Sequence, residues 1–206
     1  MIKPIETIYN GYRFRSRLEA RWAVFFDVLG VKYEYEPEGF ELPSGAHYLP
    51  DFRVKCYGTR GNITDHPFDL YIEVKGKMTQ EDADKIREFA GALVPIVRDG
   101  WTYYEIEHPV LIVGDIPNPE AYTSSSDDFN NYDTMDGISI YPWNYETIDG
   151  DYFAAYPAVQ DGCFYLDGDD SNYITMNPSV IRDALRTARQ ARFEHGETPI
   201  INRRNY

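Results

Sequence analysis

At 206 residues, 43% of them hydrophobic, the chain has the size and composition of one globular domain with an elaboration or a small appendage. No apolar run approaches the ~20 residues that span a bilayer, and the opening Met-Ile-Lys-Pro-Ile-Glu has no apolar signal segment, so a cytoplasmic protein with no membrane partner is expected. A net charge of −14 argues against phosphate binding by the chain as a whole, because neutralising phosphates takes Lys and Arg.

Residues 9–15, Tyr-Asn-Gly-Tyr-Arg-Phe-Arg, begin with a turn signal and lead into a helix. Ser16 is its expected N-cap, Leu18, Trp22, Phe25, Phe26 and Leu29 recur at helical spacing, and Gly30 ends it. Glu19 has two readings. It lies three residues after Ser16, as in a capping box that returns to the Ser16 amide. It also shares a face with Ala23 and Phe26, where a carboxylate needs a partner such as a metal ion or its water. Arg13, Arg15, Arg17 and Arg21 flank it, either as a solvated surface or as phosphate contacts.

Val31 to Glu36 alternates strictly and reads as a half-buried edge strand, broken by Pro37 and Gly39. Phe40-Glu41-Leu42 suits a short strand before the Pro-Ser-Gly turn at 43–45. A strand over 48–55 follows, with Asp51 near its start just after Pro50. A loop from Tyr57 to Pro67 carries Arg60 and His66, which are solvated or touch substrate. The next strand, Tyr-Ile-Glu-Val-Lys-Gly at 71–76, alternates faces: Ile72 and Val74 point one way, Glu73 and Lys75 the other. If the two strands pair, Asp51, Glu73 and Lys75 converge at one end of a sheet. Two carboxylates suit Mg²⁺, and a lysine beside them suits the orientation of an attacking water.

Thr79 to Leu93 reads as a helix capped by Thr79 with Asp82, whose apolar face is Ala83, Ile86, Phe89, Ala90 and Leu93. Val110 to Val113 is an unbroken apolar run, expected as a buried strand beside 71–75. From 101 to 178 there is no Lys or Arg and there are 15 of the 34 acidic residues, whereas residues 1–100 hold 14 basic and 16 acidic. The acidity therefore belongs to one segment and need not repel DNA from the rest. Asp115 to Asn172 is expected to be irregular or a small β elaboration, with apolar runs at 137–141, 152–159 and 163–166. Its Asp167-Gly-Asp-Asp-Ser-Asn lacks the glycine and glutamate of a calcium loop and reads as an acidic turn. Pro178 to Glu194 reads as a helix with Val180, Ile181, Ala184, Leu185 and Ala188 on its apolar side. A stripe of Arg182, Arg186, Arg189 and Arg192 meets phosphate or covers the acidic segment, and the tail after Gly196 reads as extended. Cys56 and Cys163 match no metal-ligand spacing and are expected as thiols.

Pro50-Asp51 followed by Glu73-Val74-Lys75, with Glu19 on an upstream helix, resembles the PD-(D/E)XK nuclease superfamily. Within it the chain is most similar to a phage and bacterial endonuclease group related to transposon-end and very-short-patch-repair-like nucleases. The likeness covers about the first half of the chain. It implies an α/β fold with a restriction-endonuclease-like αβββαβ core, a mixed sheet flanked by helices. Residues 1–114 would be that core, 115–177 an acidic β or irregular insertion, and 178–206 a C-terminal basic helix and tail. It also implies a metal-dependent DNA endonuclease of a bacterial or phage-infected cell, with Glu19, Asp51, Glu73 and Lys75 catalytic. Mg²⁺, or Mn²⁺ in its place, would be held by Asp51, Glu73 and a backbone carbonyl near Val74, with Glu19 on a second ion or a water. Arg13, Arg15, Arg17 and Arg21 would contact DNA. Such nucleases commonly work as homodimers when they cut both strands, though no dimer interface is legible. Two other readings stand beside this one: a non-catalytic DNA- or protein-binding module on the same fold, and a DNA-mimicking protein that meets its partner through the acidic segment.

Overall fold

The computed structural model describes residues 5–59, 68–91, 93–98, 101–121, 138–141, 156–160, 163–167, 178–193, 199 and 201. The expectations for Arg60 and His66, for the turn after Asp167, and for most of the tail lie outside the described residues. The fold is mixed α/β, with three α-helices among those residues. Strands β1 (Thr7–Tyr9) and β2 (Tyr12–Phe14) form an antiparallel hairpin. Asn10 and Gly11 at its tip both take positive φ, which a two-residue turn joining right-twisted strands requires. Helix α1 (Arg17–Leu29) follows, with Ser16 as N-cap and Gly30 left-handed at its end.

Next come β3 (Tyr33–Tyr35), the two-stranded β4 (Phe40–Glu41) and β5 (His47–Tyr48), then the long strands β6 (Phe52–Thr59) and β7 (Phe68–Val74). Helix α2 (Gln80–Ala90) leads to a hairpin of β8 (Leu93–Arg98) and β9 (Trp101–Ile106), and then to β10 (Val110–Val113). Strands β11 (Ile138–Tyr141), β12 (Tyr156–Gln160) and β13 (Cys163–Asp167) precede α3 (Pro178–Gln190). Among the described residues the central sheet has seven strands, in the order β11-β10-β7-β6-β13-β12, with β3 also on β6. Strand β6 is antiparallel to β7 and β3, whereas β10 is parallel to β7. Strand β13 runs parallel to the second half of β6, beyond the part that β3 covers.

Alternation along β7 divides the core in two. Leu70, Ile72 and Val74 enter the larger cluster with Trp22 and Phe26 of α1, Phe14, Phe52, and Ile181 and Leu185 of α3. Tyr71 faces the other side, where Ile86, Phe89 and Ala90 of α2 pack with Leu42, Tyr48 and Val110. Helix α1 is thus covered by the sheet on one side and by α3 on another, and ten of its thirteen residues are buried as a result. Strand β7 stops at Val74, beyond which Lys75 reaches Asp82 in the first turn of α2, while Arg15, two residues before α1, reaches Asp51. No helix among the described residues is long and apolar enough to cross a membrane.

Several expected boundaries move. The helix expected to reach Leu93 stops at Ala90, because Gly91 takes φ 75°, outside the helical region, a conformation that glycine adopts readily. Leu93 instead opens a hairpin, β8–β9, that the sequence reading passed over although Asp99-Gly100 lies between its strands. Strand β6 begins at Phe52 rather than 48 and takes in 57–59 from the expected loop, while β7 begins earlier, at Phe68. The last helix ends at Gln190, short of Glu194. Within 115–172, the described strands β11 and β13 pair directly with β10 and β6.

The aromatic contacts locate the weight of the core. Phe52 is fully buried, with its ring centroid 5.4–6.0 Å from those of Phe14, Phe26, Tyr33 and Tyr35. Phe52→Ala should cost about 3–5 kcal/mol in chemical unfolding, through lost transfer energy and the cavity left behind. Ile8→Ala, at a side chain 72% exposed, should stay within about 0.5 kcal/mol. Equal effects at the two positions would contradict this placement of the core.

Candidate active site

Three buried carboxylates lie near the end of the sheet: Glu19 at 7% exposure, Asp51 at 3% and Glu73 at 3%. Each is anchored by a different element. Glu19 stands in the first turn of α1, where the helix dipole favours a negative charge. Its Oε1 accepts from the Ser16 hydroxyl (2.6 Å), and the Ser16 oxygen accepts from the Glu19 amide (3.2 Å). Its Oε2 accepts from the Arg15 amide (3.0 Å) and from the Tyr35 hydroxyl (2.6 Å). The capping box is therefore displaced by one residue: the carboxylate returns to the Arg15 N–H, not to the Ser16 N–H that the sequence suggested. Burial and then the bond to Glu19 push the Tyr35 phenol up, so it stays a neutral donor.

Asp51 immediately precedes β6. Its Oδ2 accepts from the Val74 amide (2.7 Å) at the end of β7, and its Oδ1 meets the Arg15 guanidinium at 2.5 Å. Arg15 also reaches Glu36 (2.7 Å). Burial works against the Arg15 charge, but Asp51, Tyr35 and Glu36 more than offset it. Asp51 itself is pushed up to about 8, first by burial, then by the charges of Glu73 and Glu19, with the Val74 amide and Arg15 pulling the other way. The Arg15 guanidinium, shared with Glu36, does not offset the burial of Asp51 beside Glu73 and Glu19.

Glu73 points to the α2 side of the sheet, as alternation along β7 requires. Its Oε2 accepts from the Tyr48 hydroxyl (2.8 Å), and its Oε1 lies 2.9 Å from Lys75 Nζ. Lys75 also meets Asp82 Oδ1 at 3.1 Å. Burial opposes the Lys75 ammonium, yet Glu73 and Asp82 outweigh it and raise its pKa, so the amine stays charged. Arg15, His47, Tyr48, Leu49, Glu73, Lys75, Asp82, Lys85 and Ile86 line an open cleft of about 270 Å³.

Of the expected site residues, Glu73, Lys75 and Arg15 line this cleft, whereas Asp51 and Glu19 do not and are joined to it through Arg15, whose guanidinium meets Asp51 and whose amide donates to Glu19. Their carboxylates are turned to separate partners, and among the described residues no group of three or more His, Cys, Asp or Glu side chains is placed to hold a metal ion. Arg13, on β2, pairs with Glu6 just before β1 and does not line the cleft. Arg17 and Arg21 are half-buried on α1, and neither lines the cleft. In the C-terminal stripe, Arg186 pairs with Glu120 and Asp183 and Arg189 donates to the Ile116 carbonyl. Two of the four thus meet the 115–120 stretch. Sequence reasoning missed Tyr35 and Tyr48, whose hydroxyls hold Glu19 and Glu73; alternation marked Tyr35 as part of a half-buried strand, and Tyr48 was read only as the start of one. It also assigned Asp82 to helix capping alone. Compared with known proteins, the chain matches no family model, no curated protein and no solved structure.

The Asp51 shift fixes the sign of a pH effect. Its folded pKa lies above the ordinary 3.8, so its contribution to stability is complete below that value and is lost as the pH rises through about 8. Asp51→Asn keeps an acceptor for the Val74 amide and does not titrate. Its Tm relative to the parent should therefore increase between about pH 6 and pH 9 in metal-free buffer. A difference that stays constant over this range would mean that Asp51 is ionised throughout.

Proposed function

We propose that the chain is a metal-dependent endodeoxyribonuclease with a restriction-endonuclease-like core, and that Asp51, Glu73 and Lys75 carry the reaction with Glu19 in support. The observation behind this reading is the concentration of buried negative charge at the sheet end, where Asp51 is pushed up to about 8 by burial and by Glu73 and Glu19. Such a set is stabilised by an added cation, and carboxylate oxygens favour a hard one. The order of α1, β3, β6, β7, α2 and β10, with β10 parallel to β7, is compatible with an αβββαβ core. Asp51, Glu73 and a carbonyl near Val74 would hold Mg²⁺ or Mn²⁺, with Glu19 on a second ion or a water. Bound there, the ion supplies charge neutralisation at the phosphate and acidifies water. Lys75 would orient the attacking water and offset charge on the phosphate in the transition state. Arg15, half-exposed in the cleft wall, would leave Asp51 for a substrate phosphate, since a divalent ion beside that carboxylate repels the guanidinium.

One observation favours the second reading, a DNA-binding module without catalysis. The Arg15–Asp51 ion pair already gives Asp51 a cation, and a site permanently closed in this way needs no metal. Cleavage of a panel of linear, nicked, flapped, branched and single-stranded DNAs separates the two. As an enzyme, the parent should cut with Mg²⁺ or Mn²⁺ and bind without efficient turnover with Ca²⁺. Asp51→Asn, Glu73→Gln and Lys75→Ala should stay folded and bind DNA within several-fold, with cleavage lowered about 10²-fold or more. Full cleavage after chelation and dialysis would remove the metal from the reading. Variants that cut as well as the parent would remove the site.

A further inference from the structure

We infer that Asp82 is a positioning residue for Lys75, and that the start of α2 is built to hold that ammonium in the cleft. The inference rests on the nuclease reading of the site. Asp82 occupies the third position of α2 and uses its two oxygens differently. Oδ2 accepts from the amide (3.1 Å) and hydroxyl of Thr79, closing the capping box. Oδ1 turns away from the helix to Lys75 Nζ at 3.1 Å. A capping box needs only the first of these contacts. The second is an addition, made across the cleft wall to the side chain that follows β7.

The geometry gives Asp82 a task that Glu73 cannot perform. Lys75 Nζ lies between Glu73 Oε1 at 2.9 Å and Asp82 Oδ1 at 3.1 Å, with both carboxylates lining the cleft. Glu73 alone would draw the ammonium down onto itself, since a buried carboxylate attracts its nearest cation strongly. A metal ion held by Glu73 would compensate much of its negative charge and weaken its hold on Lys75. Asp82 is then the anion that keeps the ammonium in place. Its own carboxylate is fixed by Thr79 and favoured by the N-terminal end of α2, and hydrogen bonds from Thr79 and Lys75 overcome its partial burial to lower its pKa. Lys75 is thereby held by a carboxylate that is itself anchored at a helix end. A lysine has many rotamers, and fixing one of them before reaction is a direct gain in alignment.

Steady-state cleavage by four forms of the full chain separates positioning from capping: the parent, Asp82→Asn, Asp82→Glu and Thr79→Ala. Asp82→Asn keeps an oxygen for the cap but removes the charge that holds Lys75. Its kcat should fall about 10-fold or more with KM within about 2-fold. Asp82→Glu retains the charge at a position where glutamate also closes a capping box, and should recover most of kcat. Thr79→Ala removes the capping hydroxyl but keeps the backbone amide that donates to Asp82 Oδ2 and leaves Oδ1 on Lys75, so it should lower Tm through the weakened cap and leave kcat near the parental value. If Asp82→Asn turns over like the parent, or if Thr79→Ala loses as much kcat as Asp82→Asn, the positioning role is wrong and the nuclease reading stands. If the parent cuts none of the DNAs with Mg²⁺ or Mn²⁺, both are wrong.

Discussion

The structure depends on a concentration of negative charge in a place with little water. Asp51, Glu73 and Glu19 are all nearly fully buried, and each excludes solvent from its neighbours. Isolated, such groups would neutralise by taking up protons or would drive the chain apart. Here every oxygen has a donor: a hydroxyl from Ser16, Tyr35 or Tyr48, an amide from Arg15 or Val74, a guanidinium or an ammonium. The donors come from the two residues that lead into α1, from β3 and β5, and from the end of β7, so the arrangement of the sheet and the arrangement of the charges are one problem. A strand slipped by a residue would turn Glu73 into the α1 side of the core.

Tyrosine is the material used for this. Tyr35 and Tyr48 each place an aromatic ring in a hydrophobic cluster and a hydroxyl on a carboxylate. The ring contributes packing, the hydroxyl contributes one neutral donor, and neither adds charge. Tyr48 packs on Phe89 with ring centroids 4.5 Å apart, which ties Glu73 to α2 through the apolar side of the molecule as well as through Lys75 and Asp82. Tyr9 repeats the device at the far end of α1, donating to the buried Asp27 at 2.7 Å.

Much of this was legible in the sequence where the signal is local. Ser16, Gly30, Thr79 and Asp82 mark helix ends by side-chain chemistry within four residues, and alternation at 71–75 placed Ile72 and Val74 against Glu73 and Lys75. The convergence of Asp51 on β7 followed once β6 and β7 were paired. What remained hidden depends on contacts between positions far apart. Nothing near Arg15 says that its guanidinium lies on Asp51, and nothing near Tyr35 says that its hydroxyl ends on Glu19. The β8–β9 hairpin is a different failure: its Asp99-Gly100 signal was local, but a helix extended to Leu93 consumed the first strand.

The pairing of β13 with β6 has a consequence for how the chain reaches this state. Strands β3, β6, β7 and β10 lie within the first 113 residues, whereas the register Phe164↔Cys56 joins β6 to a strand made much later. Until that strand arrives, β6 beyond Val54 has an open edge on one side, with hydrogen-bonding groups unpaired and the Cys56 thiol, buried in the finished fold, uncovered. Closing so long a loop is slow relative to forming the neighbouring hairpins. The donors to the three carboxylates, from Arg15 to Lys75, all come from chain made before the strand that closes this edge, so the hydrogen bonds of the site draw on none of it.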